Sequence, residues 1–364
     1  MKLLSVVLFI LSFASVSLPQ HLTPKVSEQI KTAAGESLKN ANSGLSVILI
    51  EHCAVTWQGN FGFADKAHNR PIDSETRFQF GSMSKPIAAW AMMTLVESGK
   101  IDLDQPVNKY LKSWKLESTQ FDASEVTVRR VLQHSAGLSI PSVSGVDAGT
   151  RVPSLVEELS GKGPSSSAVT IIEKPGTKYL YSGGGYALLQ QLIEDVTGMT
   201  FESYVQKMIL KPLQMTSATF EPDKKTFSKT ATPYDASGNS FPFRLYSAKA
   251  AAGLYSTIED YAKFVIAQCA TNNGVLKPQT LASMFKGDTA SPRYGFGFEL
   301  MPKLTENPII SHSGSNLGWK ANFILFPVEG EGIVVATNSD SLEPRRTIIG
   351  IWRDAVVSKY NRAP

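Results

Sequence analysis

Strand-like segments stand near both ends of this sequence, whereas helix-like segments fill most of the stretch between them. Short apolar, β-branched or aromatic segments separated by Pro and Gly signals predict strands over residues 45–51, 56–63, 294–300, 309–313, 320–326 and 332–337. Apolar residues at helical spacing predict helices over residues 24–41, 86–97, 186–196, 201–209, 258–270 and 344–360. This order predicts an α/β (α+β) fold, in which a mixed antiparallel sheet is built from both termini and flanked by helices.

The same pattern predicts the domain organisation. At 364 residues, the chain exceeds the usual size of one domain. We assign residues 18–82 and 290–364 to a discontinuous α/β sheet domain, and residues 83–289 to an inserted, mostly helical domain. Together they form one unit over about residues 40–355. A cleft is expected where the two lobes join.

Residues 1–17 have the organisation of a leader. Lys2 precedes an apolar run from Leu3 to Phe13, and small residues follow up to Ser17; this order is typical of a cleaved secretory signal peptide. The alternative is an uncleaved membrane anchor, but the apolar run is shorter than the roughly 20 residues that cross a bilayer. We therefore expect an exported protein, periplasmic or secreted, without a stable membrane anchor.

Charge and composition argue against several classes of function. Lys and Arg number 36 against 32 Asp and Glu, and this formal charge of +4 is spread along the chain, so nucleic acid is not expected as a partner. No Cys/His or HExxH arrangement suggests a zinc site, and neither a metal nor an organic cofactor is implied. The expected partner is a small-molecule or peptide substrate, and a monomer is expected. Cys53 and Cys269 are interpreted as buried free thiols, because nothing in the sequence brings them together.

A possible nucleophile lies where the strand-like residues 77–80 give way to a helix. Ser82 and Lys85 are three residues apart and so share one helix face, within reach of each other. A serine hydroxyl needs an adjacent base to act as a nucleophile, and a partly desolvated lysine can serve. The same spacing recurs at Ser283 and Lys286. Either pair taken alone is more often explained by a helix-capping serine.

Two further segments could complete such a site. Tyr181 precedes Gly183, Gly184 and Gly185, and glycines at this point let the backbone approach another group closely. A tyrosine can act as a general acid or base if a nearby cation lowers its pKa. Taken alone, however, Tyr181 is better explained as a buried tyrosine that packs a turn. Residues 311–319 are rich in small side chains, so they could present backbone N–H groups to a substrate or form a plain glycine-rich turn.

Taken in this order, the three segments resemble the motifs of penicillin-recognising serine hydrolases, which include class C β-lactamases, DD-carboxypeptidases, D-amino-acid peptidases and related esterases. The similarity extends from about Gly44 to Ala355. Other segments resemble landmarks of this family: RFQFGSMSK (77–85), LVESGKIDLD (95–104), VTVRRVLQHSAGL (126–138), AGLYST (252–257) and VVATN (334–338). The resemblance implies a β-lactamase/DD-peptidase-like fold.

The resemblance also implies catalytic roles. Ser82 would be the acylated nucleophile, and Lys85 would help to remove its proton. Tyr181 would move protons between the nucleophile, the leaving group and the attacking water. The backbone N–H groups of Ser82 and Ser315 would form the oxyanion hole. The reaction implied is two-step acyl transfer through an acyl-enzyme.

The substrate-binding positions depart from the family pattern. His312, Ser313 and Gly314 occupy the place of the family's Lys-Thr-Gly strand, and Gly183 stands where the family has an asparagine. A neutral histidine attracts a substrate carboxylate less than lysine does, and Gly183 supplies no carboxamide. His134 belongs to a landmark segment, but a structural role at a helix end is favoured.

These observations lead to one principal hypothesis with two alternatives. We expect an exported serine hydrolase that cleaves an ester, an amide or a D-amino-acid peptide bond. One alternative is a β-lactamase or DD-carboxypeptidase. The other is a penicillin-binding or sensing module without turnover, although a module under no catalytic demand need not keep Ser82, Lys85 and Tyr181 together.

Overall fold

The computed structural model describes residues 22–269 and 273–361. The predicted leader over residues 1–17 therefore lies outside the described part of the chain. In chain order the strands are β1 (Gly44–Glu51), β2 (Ala54–Asp65), β3 (Arg70–Pro71), β4 (Phe78–Gln79), β5 (Val146–Asp147), β6 (Arg244–Leu245), β7 (Tyr255–Ser256), β8 (Glu299–Met301), β9 (Ile309–Asn316), β10 (Trp319–Phe326) and β11 (Glu331–Thr337).

Both ends of the chain contribute to one seven-stranded sheet. Its strand order is β3-β2-β1-β11-β10-β9-β8, and neighbouring strands are antiparallel. At its centre, β1 pairs with β11, so that Leu45 lies opposite Thr337 and Ile50 opposite Gly332. This pairing confirms the prediction of an antiparallel sheet shared by both termini.

Helices cover the two faces of the sheet and fill the middle of the chain. They are α1 (Thr23–Ser37), α2 (Ser84–Glu97), α3 (Val128–Leu132), α4 (Leu155–Leu159), α5 (Gly183–Thr197), α6 (Phe201–Val205), α7 (Lys224–Lys229), α8 (Lys249–Ala252), α9 (Ile258–Ala267), α10 (Pro278–Met284) and α11 (Glu343–Tyr360). Short 3₁₀-helices cover Gly81–Met83, Val107–Lys109 and Ala123–Glu125, and a π-helical turn covers Gln206–Leu210. None of the described helices combines the length and apolar character of a bilayer span.

The sheet separates two apolar cores because side chains alternate along each strand. Leu45, Val47 and Leu49 of β1 point into a smaller core that α1 and α11 complete. Ile48 and Ile50 point into the larger core on the opposite face, where α2 and α9 pack. All eight residues of β1 are buried, which explains why this strand reads as a continuous apolar run.

The two cysteines lie at the ends of elements. Cys53 lies in the turn between β1 and β2, and Cys269 follows the end of α9. Both are free thiols, and both side chains are partly exposed, which corrects the expectation that they are buried.

Two predicted boundaries shift in a way that shapes the site. Helix α5 begins at Gly183 rather than at Tyr186, because the Ser182 hydroxyl caps it by accepting from the Gly185 N–H at 2.8 Å. The strand predicted over residues 294–300 is mostly a turn, since Gly295 N–H donates to the Phe298 carbonyl at 2.8 Å. Gly297 has a left-handed φ of +83°, and a Cβ there would lie 2.6 Å from the Cβ of Ala89 on α2. The turn therefore follows from its close approach to α2.

Candidate active site

The predicted nucleophile lies in a tight turn between β4 and α2. Ser82 occupies the short 3₁₀-helix that precedes α2. Gly81, before it, has a φ of +53°, and a Cβ at this position would lie only 2.8 Å from the backbone nitrogen of Ser315 on β9. A residue with a side chain would push the strand away. The glycine therefore lets β9 approach the nucleophile turn.

Lys85 contacts the nucleophile from the first turn of α2. Its Nζ lies 3.0 Å from Ser82 Oγ and 2.8 Å from the Ala251 carbonyl oxygen, which belongs to α8. The side chain is 1 % exposed. Burial lowers the pKa of the Lys85 ammonium to about 7, since the charged form loses its hydration. A substantial fraction of Lys85 is therefore neutral at pH 7 and able to accept a proton.

Tyr181 approaches Ser82 from the segment before α5. Its hydroxyl hydrogen-bonds with Ser82, and its ring centroid lies 4.9 Å from Lys85 Nζ. Burial raises the pKa of Tyr181, and the hydrogen bond to Ser82 only partly opposes that rise. The condition set from the sequence, a pKa lowered by a nearby cation, is therefore not met. Tyr181 keeps its proton at neutral pH, so Lys85 is the better base and Tyr181 the better acid. We call Ser82, Lys85 and Tyr181 the acylation corner.

The backbone of β9 runs beside the acylation corner. A Cβ at Gly314 would lie 1.9 Å from the Phe80 carbonyl oxygen and 3.3 Å from the Met83 nitrogen, so Gly314 lets the strand pack directly against the nucleophile turn. With Gly81, it brings the backbones of Ser82 and Ser315 together. This is the arrangement that an oxyanion hole made from their N–H groups requires, although the hole itself stays a prediction.

His312 belongs to β9, and its side chain is buried. It is 1 % exposed, its Nδ1 lies 2.7 Å from the Ser313 carbonyl oxygen, and its Nε2 lies 2.9 Å from the Tyr294 hydroxyl. Because a carbonyl oxygen only accepts, Nδ1 carries the proton, and in the neutral ring Nε2 accepts from Tyr294. Burial lowers the pKa of His312 to about 4. The ring is therefore neutral, and both its nitrogens are engaged within the protein; its role in substrate binding stays a prediction.

Glu299 on β8 places a carboxylate beside β9. It was not singled out from the sequence. The hydroxyls of Ser311 and Ser313 donate to the Glu299 carboxylate at 3.2 and 3.4 Å. The contacts follow from sheet register, because Glu299 on β8 lies opposite Ser311 on β9. Glu299 is half-buried, whereas Ser313 is exposed. We call Glu299, Ser311, His312 and Ser313 the β8–β9 wall.

His134 packs behind Tyr181. Its ring centroid lies 4.3 Å from that of Tyr181 and 4.6 Å from that of Tyr294, and its Nδ1 accepts from the Ser182 N–H at 3.1 Å. Burial lowers its pKa well below the usual value, so the ring is neutral and Nδ1 can accept. His134 thus supports the segment that carries Tyr181, in agreement with the structural role that we favoured. Tyr294, which contacts both histidines, was not singled out from the sequence.

Comparison with known proteins decides the family. A family model described as Beta-lactamase matches residues 29–356. The chain belongs to the β-lactamase family. The protein flp of Staphylococcus aureus strain MW2 is 25% identical over 334 residues, which cover 88% of this chain and 65% of flp. The chain thus spans about two thirds of the length of such curated relatives.

Solved structures agree with this assignment. The octameric penicillin-binding protein homologue from Pyrococcus abyssi is 26% identical with a TM-score of 0.75, over 93% of this chain and 78% of that one. EstCE1, a hydrolase with promiscuous acyltransferase activity, has a TM-score of 0.76 at 20% identity and is covered over 99% of its length, against 92% of this chain. The second likeness shows the fold alone. The expected β-lactamase/DD-peptidase-like fold is therefore confirmed.

Gly183 is the position at which this member of the β-lactamase family lacks the expected asparagine. It is the first residue of α5, and a Cβ there would lie 3.2 Å from Val143 Cγ1 and 3.3 Å from the Pro141 carbonyl oxygen. These distances are tight, so a larger side chain would require the loop over residues 139–145, which lies before β5, to move. The loop is in turn fixed to α5, because Ser182 Oγ donates to the Ser139 carbonyl at 2.5 Å.

A cavity of about 400 Å³ opens beside this loop and reaches Ser315. Its lining includes Ser142 and Val143 from the loop, Arg244 and Tyr246 from the chain around β6, and Leu317 from the turn after β9. Because Ser315 belongs both to this lining and to the predicted oxyanion hole, the cavity is placed to hold the part of a substrate next to the reacting carbonyl.

The second Ser-x-x-Lys pair lies elsewhere and has different contacts. Ser283 Oγ donates to the Thr280 carbonyl oxygen at 2.6 Å within α10, and the side chain of Lys286 is exposed. The spacing alone therefore does not create a nucleophile; the burial of Lys85 distinguishes the two pairs. Nor does the described part of the chain group three or more His, Cys, Asp or Glu side chains around a possible metal ion.

Proposed function

We propose that this protein is a serine hydrolase that forms an acyl-enzyme on Ser82 and cleaves an ester, an amide or a D-amino-acid peptide bond. The observation that carries the proposal is the contact of Lys85 Nζ with Ser82 Oγ at 3.0 Å, made by a lysine whose pKa is lowered to about 7. At neutral pH, a lysine with this pKa is unprotonated in a large fraction of the molecules and is still basic enough to take a proton from a hydroxyl group.

The acylation step follows from the geometry of the corner. Neutral Lys85 takes the proton of Ser82 as Ser82 Oγ attacks the substrate carbonyl carbon, and the resulting oxyanion is placed against the N–H groups of Ser82 and Ser315. Tyr181 gives its proton to the leaving oxygen or nitrogen as the carbon–leaving-group bond breaks. The Lys85 ammonium then returns a proton to Tyr181, which leaves Lys85 neutral and Ser82 acylated.

Deacylation uses the same groups in reverse. A water molecule takes the place of the leaving group and attacks the ester carbon, while Tyr181 takes the water proton and passes its own proton to neutral Lys85. The Lys85 ammonium then gives a proton to Ser82 Oγ as the acid product departs. The cycle restores every protonation state. Both half-reactions are therefore balanced by the three side chains of the acylation corner.

The β8–β9 wall favours a neutral or cationic substrate over an anionic one. A substrate carboxylate hydrogen-bonded to Ser313 would lie close to Glu299, to which Ser313 already donates, and His312 supplies no positive charge. Arg345 on α11 interacts electrostatically with Glu299. Its guanidinium group is also bound to the backbone of β10, because Nη1 donates to the Ala321 carbonyl oxygen at 3.3 Å. Repulsion at Ser313 therefore opposes an anionic substrate.

This charge pattern ranks the candidate activities. A β-lactamase or a DD-carboxypeptidase acts on a substrate with a carboxylate near the scissile bond, and Gly183 also lacks the expected carboxamide. An ester, an amide or a peptide without that carboxylate avoids the repulsion. The likeness to a penicillin-binding protein homologue keeps the β-lactam activity as the second candidate. We further propose export through the predicted leader and a monomeric state.

Labelling and turnover assays test the proposal together. A fluorophosphonate probe should label the wild type and the Ser283→Ala variant but not Ser82→Ala, and Ser82→Ala should lose about 10⁴-fold or more in turnover. The substrate panel comprises short-chain p-nitrophenyl esters, a chromogenic cephalosporin, and D-aminoacyl and D-Ala-D-Ala peptides. Equal labelling of wild type and Ser82→Ala would refute the nucleophile. Labelling without turnover of any substrate would support a binding module instead.

A further inference from the structure

Glu299 is a half-buried acid whose charge no side chain neutralises by direct pairing. The hydroxyls of Ser311 and Ser313 donate to its carboxylate at 3.2 and 3.4 Å. Among the described residues, no ion pair includes Glu299, and the guanidinium of Arg345 is bound to the backbone of β10. Because a carboxylate has about four acceptor positions, Glu299 keeps the capacity for a further donor.

Tyr179 places an aromatic ring at the surface of the same region. Its side chain is 44 % exposed, yet the ring is fixed by two buried neighbours. The ring centroid lies 6.0 Å from that of His134 and 5.9 Å from that of Tyr294. The part of the ring that faces solvent is therefore held ready for a ligand, and aromatic rings attract cations.

Tyr294 connects Tyr179 with Glu299. The Leu300 N–H donates to the Arg293 carbonyl oxygen at 2.8 Å, and Tyr294 lies opposite Glu299 in an antiparallel bridge. Residues paired in this way have Cα atoms about 4.5–5.5 Å apart. In agreement with this placement, burial raises the pKa of Tyr179 to about 12, and the charge of Glu299 adds to the rise. An open aromatic ring and a carboxylate without an ion partner thus lie beside one tyrosine.

The acylation corner indicates which part of a substrate would lie there. The ring centroid of Tyr181 lies 6.4 Å from that of Tyr294, on which Tyr179 also packs. In the proposed mechanism Tyr181 gives its proton to the leaving group, so the leaving group must lie next to Tyr181. The cavity of about 400 Å³ instead reaches Ser315, at the predicted oxyanion hole. The leaving group is therefore the part directed toward Tyr179 and Glu299.

We propose that Tyr179 and Glu299 form a subsite for a cationic leaving group, which is the alcohol part of an ester or the amine part of an amide that carries an ammonium group. This inference rests on the proposed function and names a substrate class for it. The ammonium lies between the Tyr179 ring and the Glu299 carboxylate, which Ser311 and Ser313 orient. The ring supplies a cation–π contact and the carboxylate supplies the opposite charge.

Two esters of the same acid test the subsite. One is the ester of choline, and the other is the ester of the uncharged alcohol in which carbon replaces the choline nitrogen, so that the leaving groups share one shape. The acid is the one whose p-nitrophenyl ester this protein hydrolyses fastest. We expect kcat/KM for the choline ester to exceed that for the uncharged ester about tenfold. Titration of the released acid at constant pH measures both rates.

Variants separate the two contacts. Glu299→Gln keeps the shape of the side chain and should reduce the preference for the choline ester to about twofold. Tyr179→Leu should reduce it to about threefold, whereas Tyr179→Phe keeps the ring and should keep the preference. The matched control is Glu306→Gln, which removes an exposed charge from the connection between β8 and β9 and should leave the preference at the wild-type value.

The outcomes distinguish this inference from the proposed function. Equal kcat/KM for the two esters in wild type would overturn the inference and leave the proposed function standing. A preference that persists in both Glu299→Gln and Tyr179→Leu would also overturn it. So would an equal loss in Glu306→Gln, because the preference would then arise from the overall charge of the protein. Absence of turnover of every ester would overturn the proposed ester hydrolysis, and this inference with it.

Discussion

The acylation corner packs against β9, the strand that carries most of the β8–β9 wall, but the two groups relate differently to the family pattern. In the corner, Ser82, Lys85 and Tyr181 have the residue types and the contacts that the proposed acyl transfer needs. In the wall, a buried neutral His312 stands where the family pattern has the lysine of the Lys-Thr-Gly strand, and the Glu299 carboxylate lies nearby. Under the proposed function, the chemistry and the choice of substrate are therefore assigned to separate parts of the site. Changes in the corner should affect every substrate, whereas changes in the wall should affect the ratio between substrates.

The largest expected effect comes from removing the amine of the corner. Lys85→Met keeps a long side chain but has no base, so the rate of acylation should fall by about 10²- to 10⁴-fold for every substrate. Burst kinetics with a p-nitrophenyl ester measure this rate. The matched control is Lys286→Met, which removes the lysine of the second Ser-x-x-Lys pair and should leave the rate unchanged. A normal burst in Lys85→Met would rule out Lys85 as the base.

The pH dependence of acylation separates the corner from the wall. Lys85 acts when it is unprotonated, and its pKa is lowered to about 7; the rate should therefore rise about tenfold per pH unit up to about pH 7 and then level off. The pKa of His312 is lowered to about 4 and that of Tyr181 is raised, so neither titrates in that interval. Acylation rates of a neutral ester at roughly pH 5 to 9 give the profile. A flat profile through neutral pH would contradict the assignment of Lys85.

A smaller effect is expected from neutralising the wall. Glu299→Gln keeps the size of the side chain and removes its charge. The kcat/KM for an anionic substrate, divided by that for a neutral ester, should rise about tenfold as the repulsion is lost. The matched control is Glu28→Gln on α1, which should leave the ratio unchanged. An equal change for both substrates would show that Glu299 acts on the corner and not on substrate charge.

The smallest effect is expected at Gly183. Gly183→Asn supplies the missing carboxamide, but its Cβ would lie 3.2 Å from Val143 Cγ1, so acylation by penicillin should rise about twofold or less. Adding Val143→Ala makes room, and the double variant should gain about tenfold. Stopped-flow measurement of penicillin acylation compares the two variants with Val143→Ala alone. A full gain from Gly183→Asn without the second change would show that the loop does not restrict this position.

The sequence was sufficient for features that are local or that repeat along the chain. Strand and helix periodicity predicted the sheet shared by both termini, and the spacing of Ser82 and Lys85 predicted their contact, because residues three apart share a helix face. Motif order then indicated the family. These predictions depend on periodicity, on spacing and on the order of segments along the chain, all of which a single sequence contains.

The remaining features depend on contacts between distant segments. Glu299 meets Ser311 only through the register of β8 and β9, and Tyr294 meets His312 because a glycine turn, not the predicted strand, carries it. The direction of the pKa shift of Tyr181 depends on burial, which its own segment does not define. The available signal for Glu299 was its position in the sequence, as the one charged residue in the otherwise uncharged stretch 296–301.

The pairing of β1 with β11 has a consequence for how this protein folds. Leu45 lies opposite Thr337, so the centre of the sheet cannot close until nearly the whole chain is present. Contacts this distant make the entropy of loop closure a barrier and slow the folding reaction. Until β11 has been made, β1 can pair with β2 alone, so its other edge keeps backbone groups without the partners that they have in the finished sheet.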